Sequence, residues 1–163
     1  SVVCKGSTFL LYLPIADKKE NTDKENSFKK KIPSGTESIL FVDDEKAIRV
    51  FVQEFLGNYG YTVTVSENGQ KAYERFKQAP KCFDIVITDM TMPKMNGDKL
   101  ASKILSIRND IPIILCTGYS EKLNKERAEK IGVTKYIKKP IAGKELCFLI
   151  RDVLDESKKA DES

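Results

Sequence analysis

Histidine is absent from all 163 residues. That removes every mechanism needing imidazole, from Ser-His triads to His-ligated zinc, and means that this chain cannot carry a phosphohistidine. Cysteine is sparse: Cys4, Cys82, Cys116 and Cys147 lie far apart and form no CxxC pair. Neither a zinc site nor a thioredoxin-like motif is therefore encoded, and small buried side chains in a reducing compartment are the expectation. No apolar run is long enough to span a bilayer. The stretch from Phe9 to Ala16 is short, contains Pro14 and is followed by no small-residue cleavage site. Charge of one sign is also lacking. The formal net charge is +4, but lysines are interleaved with nearly as many acids, which describes a solvated surface better than a nucleic-acid footprint. No direct nucleic-acid partner and no membrane contact are expected of this piece.

What is present divides by composition. Ser1 to Ala16 includes a strand-like stretch, Thr8 to Pro14. Asp17 to Thr36 is a charged linker: its first fifteen residues carry ten charges, with Phe28 as the only large apolar side chain. Such a segment buries too little surface to offset its ordering entropy. The expected domain runs from Glu37 to Glu156, and 157–163 is a polar tail. Because the chain opens on Ser1, it reads as a piece of something longer.

From Ile39 onward strands and helices alternate. Ile39-Leu-Phe-Val42 is a short continuous apolar run, as in a strand covered on both faces. A helix follows, with Ile48, Phe51, Val52, Phe55 and Tyr59 inward and Gly60 closing it. Tyr61 to Val65 is the second strand, and 68–77 a shorter helix with Ala72, Tyr73 and Phe76 inward, ended by Pro80. Phe83 to Thr88 is the third strand. Leu100, Ile104 and Ile107 mark the next helix, and Pro112 to Cys116 the fourth strand. Leu123 and Ile131 bracket a lysine-rich helix terminated by Gly132. Lys135 to Ile137 is the fifth strand, and Leu146, Leu149, Ile150 and Val153 line the last helix. Five strands alternating with helices predict an α/β fold with a doubly wound parallel sheet, flavodoxin-like, with strand order 2-1-3-4-5.

In such a sheet the chemistry lies beyond the carboxyl ends of the strands. The first strand ends in Asp43-Asp44-Glu45, the third in Asp89, the fourth in Thr117, and the fifth runs into Lys138-Lys139-Pro140. Singly these have ordinary explanations: Asp44 as a helix cap, Thr117 as a turn residue, Lys139 as a solvated lysine and Tyr136 as a strand aromatic. Together they put carboxylates, a hydroxyl and a lysine on one edge. Clustered carboxylates repel unless a cation intervenes, and an oxygen-rich set suits Mg²⁺. The set matches the needs of phosphoryl transfer: an aspartate nucleophile, a metal and donors for the phosphoryl oxygens.

The runs ILFVDDE (39–45), FDIVITDMTMPKMNG (83–97), PIILCTGY (112–119) and KYIKKP (135–140) resemble, in order and spacing, response-regulator receiver domains. The resemblance covers about three quarters of the chain. It implies that Asp89 is the phosphoacceptor, and that Asp43, Asp44, Asp89 and the Thr91 backbone carbonyl hold Mg²⁺. It makes Thr117 the switch hydroxyl, Lys139 the phosphoryl-contacting lysine, Tyr136 the switch aromatic and the peptide before Pro140 cis. Met90, Thr91 and Tyr119 would influence phosphoryl lifetime. The implied donor is a phosphohistidine-bearing kinase or phosphotransfer domain. The implied behaviour is a switch rather than a turnover enzyme, apart from self-phosphorylation and dephosphorylation. Lys122, Lys125, Arg127, Lys130, Lys135 and Lys138 make the partner-facing region basic, either as a solvated face or toward an acidic surface.

The segment Gly6 to Pro14 resembles the last strand of histidine-kinase ATP-binding domains. This implies the carboxy-terminal receiver of a hybrid sensor histidine kinase, cytoplasmic, with a parent chain that could be membrane-anchored, and self-association through residues 8–13. Three other readings compete. A stand-alone receiver would lack the kinase remnant. An aspartyl-phosphate phosphohydrolase needs an Asp where Thr91 stands. A flavodoxin-like cofactor module needs a phosphate-cradling first loop where Asp43-Asp44-Glu45 would repel an anion.

Overall fold

Three central strands carry no charge until their carboxyl ends, and burial follows from that. The computed structural model describes residues 31–118 and 131–161, with side chains to residue 159. β1 (Ser38–Val42) is flanked by β2 (Thr62–Ser66) and β3 (Ile85–Asp89), and the sheet continues through β4 (Ile113–Thr117) to β5 (Lys135–Lys138). All pairings are parallel and the order is β2-β1-β3-β4-β5, as the alternation predicts. The chain divides into two units, Ser1–Lys31 and Ile32–Ser163, and every element named here belongs to the second. The strand-like segment 8–14 and most of the charged linker lie outside the described residues.

Strand periodicity sorts the core into two layers. Ile39, Phe41, Ile85, Ile87, Ile114 and Cys116 point to one face, where α1 (Lys46–Gly57) and α4 (Gly143–Asp161) cover them with Val52, Leu56, Leu146, Ile150 and Val153. Leu40, Val42, Val86 and Ile113 point to the other, beneath α2 (Gly69–Gln78) and α3 (Gly97–Ile107), with Ala72, Phe76, Leu100, Ala101 and Ile104. α2 starts where Asn68 Oδ1 accepts the Lys71 N–H at 2.9 Å, an ordinary side-chain cap. Gly60, at φ +93°, turns the chain from α1 into β2 in a conformation that suits glycine.

The helix faces differ in detail from the sequence expectation. Phe51 is 45% exposed, and Leu56 takes the inward place beside Val52. The i, i+4 pair 52/56 faces the sheet, which swings Phe51 to the flank. There its ring meets Phe55 at 5.6 Å, and Phe55 meets Tyr59 at 5.1 Å. Ile107, the last residue of α3, is also exposed, with no further turn to cover it, and Ala101 is buried instead. Cys116 and Cys147 are buried as expected. Cys82 is exposed, because it closes the short 3₁₀ turn Pro80–Cys82 on the surface. The lysine-rich helix expected between Leu123 and Ile131 falls almost wholly outside the described residues, as do Tyr119, Lys122, Lys125, Arg127 and Lys130. Among the described residues no helix is long and apolar enough to cross a membrane.

These burial differences predict unequal mutational costs. Leu56→Ala is expected to cost roughly 2–5 kcal/mol by cavity formation. Phe51→Ala, on the flank, should cost less than about 1 kcal/mol. Urea denaturation of the two variants checks this; equal losses would put Phe51 back in the core.

Candidate functional site

Parallel pairing makes one end of the sheet collect every strand terminus. Val42 is in register with Thr88 and Asp89 with Cys116, so Asp43 emerges beside Asp89. Thr117 is in register with Lys138, so Lys139 follows at the same edge. Asp43 is fully buried, Asp89 is 7% exposed and Asp44 is exposed. One carboxylate oxygen from each of the three lies within 4.8 Å of the others. The Lys139 ammonium reaches down between two of them, 2.9 Å from Asp43 Oδ2 and 3.1 Å from Asp89 Oδ2. Asp43 Oδ1 accepts the Glu45 N–H at 2.8 Å. Glu45 is the N-cap of α1 and no side chain caps that helix, so capping does not account for Asp44.

Electrostatics explains why the lysine is there. Burial pushes the Asp89 carboxyl above its ordinary value and Asp43 adds to the push, while the Lys139 hydrogen bond and charge offset part of it. Burial would pull Lys139 down, but its bonds to Asp43 and Asp89 more than compensate, and its ammonium is held above the usual lysine value. Three carboxylates against one ammonium still leave a formal excess of two negative charges. An all-oxygen donor set, partly open to water through Asp44, fits a hard divalent cation of the Mg²⁺ type.

Around this centre the remaining sequence candidates occupy adjoining positions. Thr117, half-buried at the end of β4, accepts the Lys139 N–H on its carbonyl at 2.9 Å. Tyr136 is half-buried on β5, in register with Leu115 and packed against the Met90–Leu115 pair. Thr91 is exposed in the loop two residues after Asp89. The Lys139–Pro140 peptide is cis. Of the basic residues at the expected partner face, Lys135 pairs with Glu156 at 3.3 Å and Lys138 is exposed.

Two neighbours of the site lie outside the set of candidate residues read from the sequence. The loop 90–96 is anchored by buried Met92 and Met95 and closed by the Gly97 N–H on the Met90 carbonyl at 2.9 Å. A Cβ at Gly97 would run into the Asp89 carbonyl oxygen, so only glycine lets α3 start this close to the acidic centre. Arg49, on the first turn of α1, donates from Nη1 to the Asp43 carbonyl at 2.7 Å. The Asn-Gly pair is a visible loop signal for the first. Nothing local marks the second.

Comparison with known proteins agrees with this geometry. The sequence model of the response regulator receiver domain matches residues 39–151. The chain is 29% identical to the sensor kinase CckA of Brucella abortus over an alignment spanning 96% of this chain and 17% of CckA. It is 32% identical to the response regulator receiver protein CpdR of the same organism, covering 74% of this chain and 93% of CpdR. It spans about half the length of the transcriptional regulators it also matches. Among solved structures, a CheY-like receiver domain protein from Methanospirillum hungatei superposes with a TM-score of 0.73 at 28% identity. That superposition covers 77% of this chain and 99% of the other. The fold and the acidic edge define an α/β domain of the two-component signalling class. The chain belongs to the response regulator receiver domain family, whose members bind Mg²⁺ at an acidic site and accept phosphoryl groups from histidine kinases.

The upward shift of Asp89 has a consequence for stability. A carboxyl raised in the fold stabilises it when protonated. That contribution is fully present below the ordinary value of about 4 and is lost as pH rises through the folded value. At neutral pH the ionised Asp89 therefore opposes folding of the metal-free protein. Asp89→Asn is expected to melt higher than wild type at pH 7, with the gap closing toward pH 4. Parallel thermal melts test it; a lower-melting variant at pH 7 would mean that pairing with Lys139 outweighs burial.

Proposed function

We propose that this chain is a phosphoacceptor switch in which Asp89 takes the phosphoryl group of a phosphohistidine on another domain. The observation that carries the reading is the Lys139 ammonium held between Asp43 and Asp89. A lysine so placed can follow negative charge from the carboxylates to an incoming phosphoryl group. In this reading an Asp89 carboxylate oxygen attacks phosphorus, the P–N bond breaks, and the imidazole leaves on the donor side and is protonated there. Lys139 offsets charge on the transferring group, and the Thr117 hydroxyl donates to one of its oxygens. Asp43, Asp44, Asp89 and the Thr91 carbonyl would hold Mg²⁺, which when bound neutralises charge on the phosphoryl oxygens and the acidic cluster. As Thr117 moves toward the phosphoryl group, Tyr136 follows into the space it leaves, repacking the Met90–Leu115 surface.

Incubation with acetyl phosphate and Mg²⁺ should add one base-labile phosphoryl group, read by intact mass. Asp89→Asn should abolish it, and Lys139→Ala should slow it by roughly 10²-fold. Mg²⁺ alone should raise the melting temperature of wild type by preferential binding to the fold, and Asp44→Ala should blunt that rise. Undiminished labelling of Asp89→Asn would move the acceptor elsewhere and end this reading.

We further propose that the chain is the carboxy-terminal receiver of a hybrid sensor histidine kinase. The alignment with CckA extends over 96% of the chain, beyond the residues the receiver occupies. That extent supports reading residues 1–16 as the end of a kinase ATP-binding domain and the charged stretch after it as a linker. Removing residues 1–30 should leave acetyl-phosphate labelling unchanged while reducing self-association, measured by sedimentation. Loss of labelling would make that segment part of the receiver instead.

A further inference from the structure

Asp43 is fully buried, so each of its polar groups has to find a partner inside the protein. Three of the four partners are accounted for by the fold and the site already described. The Asp43 N–H donates to the Ser66 carbonyl at 3.2 Å, extending the β1–β2 ladder. Oδ1 accepts the Glu45 N–H at 2.8 Å, and Oδ2 accepts Lys139 at 2.9 Å. The fourth group is the backbone carbonyl, and the half-buried Arg49 supplies its donor, Nη1 at 2.7 Å.

That carbonyl belongs to the peptide plane joining Asp43 to Asp44. The plane's orientation decides where the Asp44 carboxylate stands relative to those of Asp43 and Asp89. α1 begins only at Lys46 and has no side-chain cap, so helix-cap chemistry does not hold the plane. We infer that Arg49 is a positioning residue for the divalent-cation site, holding the Asp43–Asp44 peptide so that three carboxylates converge. The inference rests on the phosphoacceptor reading above. It concerns a residue outside the proposed ligand set, acting through a backbone carbonyl one step removed.

The sign of its effect separates positioning from simple charge. Removing a cation beside three carboxylates should, by Coulomb's law, tighten Mg²⁺ binding. Loss of an outer partner that orients the ligands should weaken it, typically by 10-fold or somewhat more. Arg49→Met keeps the aliphatic stem and deletes the donor. Arg49→Lys keeps a donor and the charge.

The test is Mg²⁺ titration of the unphosphorylated full chain by calorimetry, with melting in metal-free buffer as the fold control. Acetyl-phosphate labelling across Mg²⁺ concentrations gives a second readout. Arg49→Met is expected to bind Mg²⁺ about tenfold more weakly. Its half-saturating Mg²⁺ for labelling should rise in step, with a rate at saturating Mg²⁺ near wild type. Arg49→Lys should recover much of the affinity. Wild-type or tighter affinity in Arg49→Met, with or without a lower melting temperature, would overturn the inference and reduce Arg49 to packing or charge. The phosphoacceptor reading survives that result, because it falls only if wild type itself neither binds Mg²⁺ nor labels at Asp89. If Arg49→Met does not fold, Arg49→Lys decides: unchanged folding with near wild-type Mg²⁺ affinity supports the inference, and unchanged folding with a loss of about tenfold overturns it.

Discussion

Mutual repulsion of carboxylates at the end of a parallel sheet is the constraint on which the rest of this structure depends. Asp43 and Asp89 are both buried, and burial of like charges raises the energy of the fold unless an opposite charge is brought in. Lys139 is that charge, delivered from the far side of the sheet by β5. Its delivery requires the whole strand order: β1 and β3 place the acids, and β4 spaces β5 so that the Lys139 side chain spans the gap. The apolar layers on both faces then have a second role beyond stability. They hold the strand ends rigidly enough that an unfavourable cluster persists.

The same tension underlies the switch proposed above. A lysine shared between two carboxylates is not committed to either, and an arriving divalent cation or phosphoryl group changes which contacts are favourable. Tyr136 and Met90 sit against Leu115, two residues before Thr117 on β4, so this packed cluster lies only one or two residues from the acidic edge. The loop 90–96 is anchored by buried Met92 and Met95, and Gly97 lies close against the Asp89 carbonyl. On the Asp43 side, Arg49 donates to the Asp43 carbonyl.

Much of the architecture was legible in residue order because its signals are local. Continuous runs such as Ile39 to Val42 and Ile113 to Cys116 mark strands buried on both faces. The alternation with helices leaves few topologies, and the observed order is the one those rules favour. Helix faces were less legible. Phe51 and Leu56 are nearly equivalent in a periodicity count, and only the angle at which α1 lies on the sheet sends one outward and the other in. Cys82 likewise neighbours an apolar strand, yet its turn carries it to the surface.

The identity and spacing of Asp43, Asp44, Asp89, Thr117 and Lys139 were set by sequence alone, since the ends of parallel strands must meet at one edge. What only the tertiary structure decided is how those groups share charge: that Lys139 bridges Asp43 and Asp89 while Asp44 faces water. It also decided that Arg49, six residues from Asp43, closes the last polar group of the buried acid, and that Gly97 is needed to clear the Asp89 carbonyl. These are matters of distance between side chains and backbone atoms after packing. A linear pattern encodes which groups are available, but the depth at which each is buried, and therefore the strength of each charge, exists only once the layers have closed.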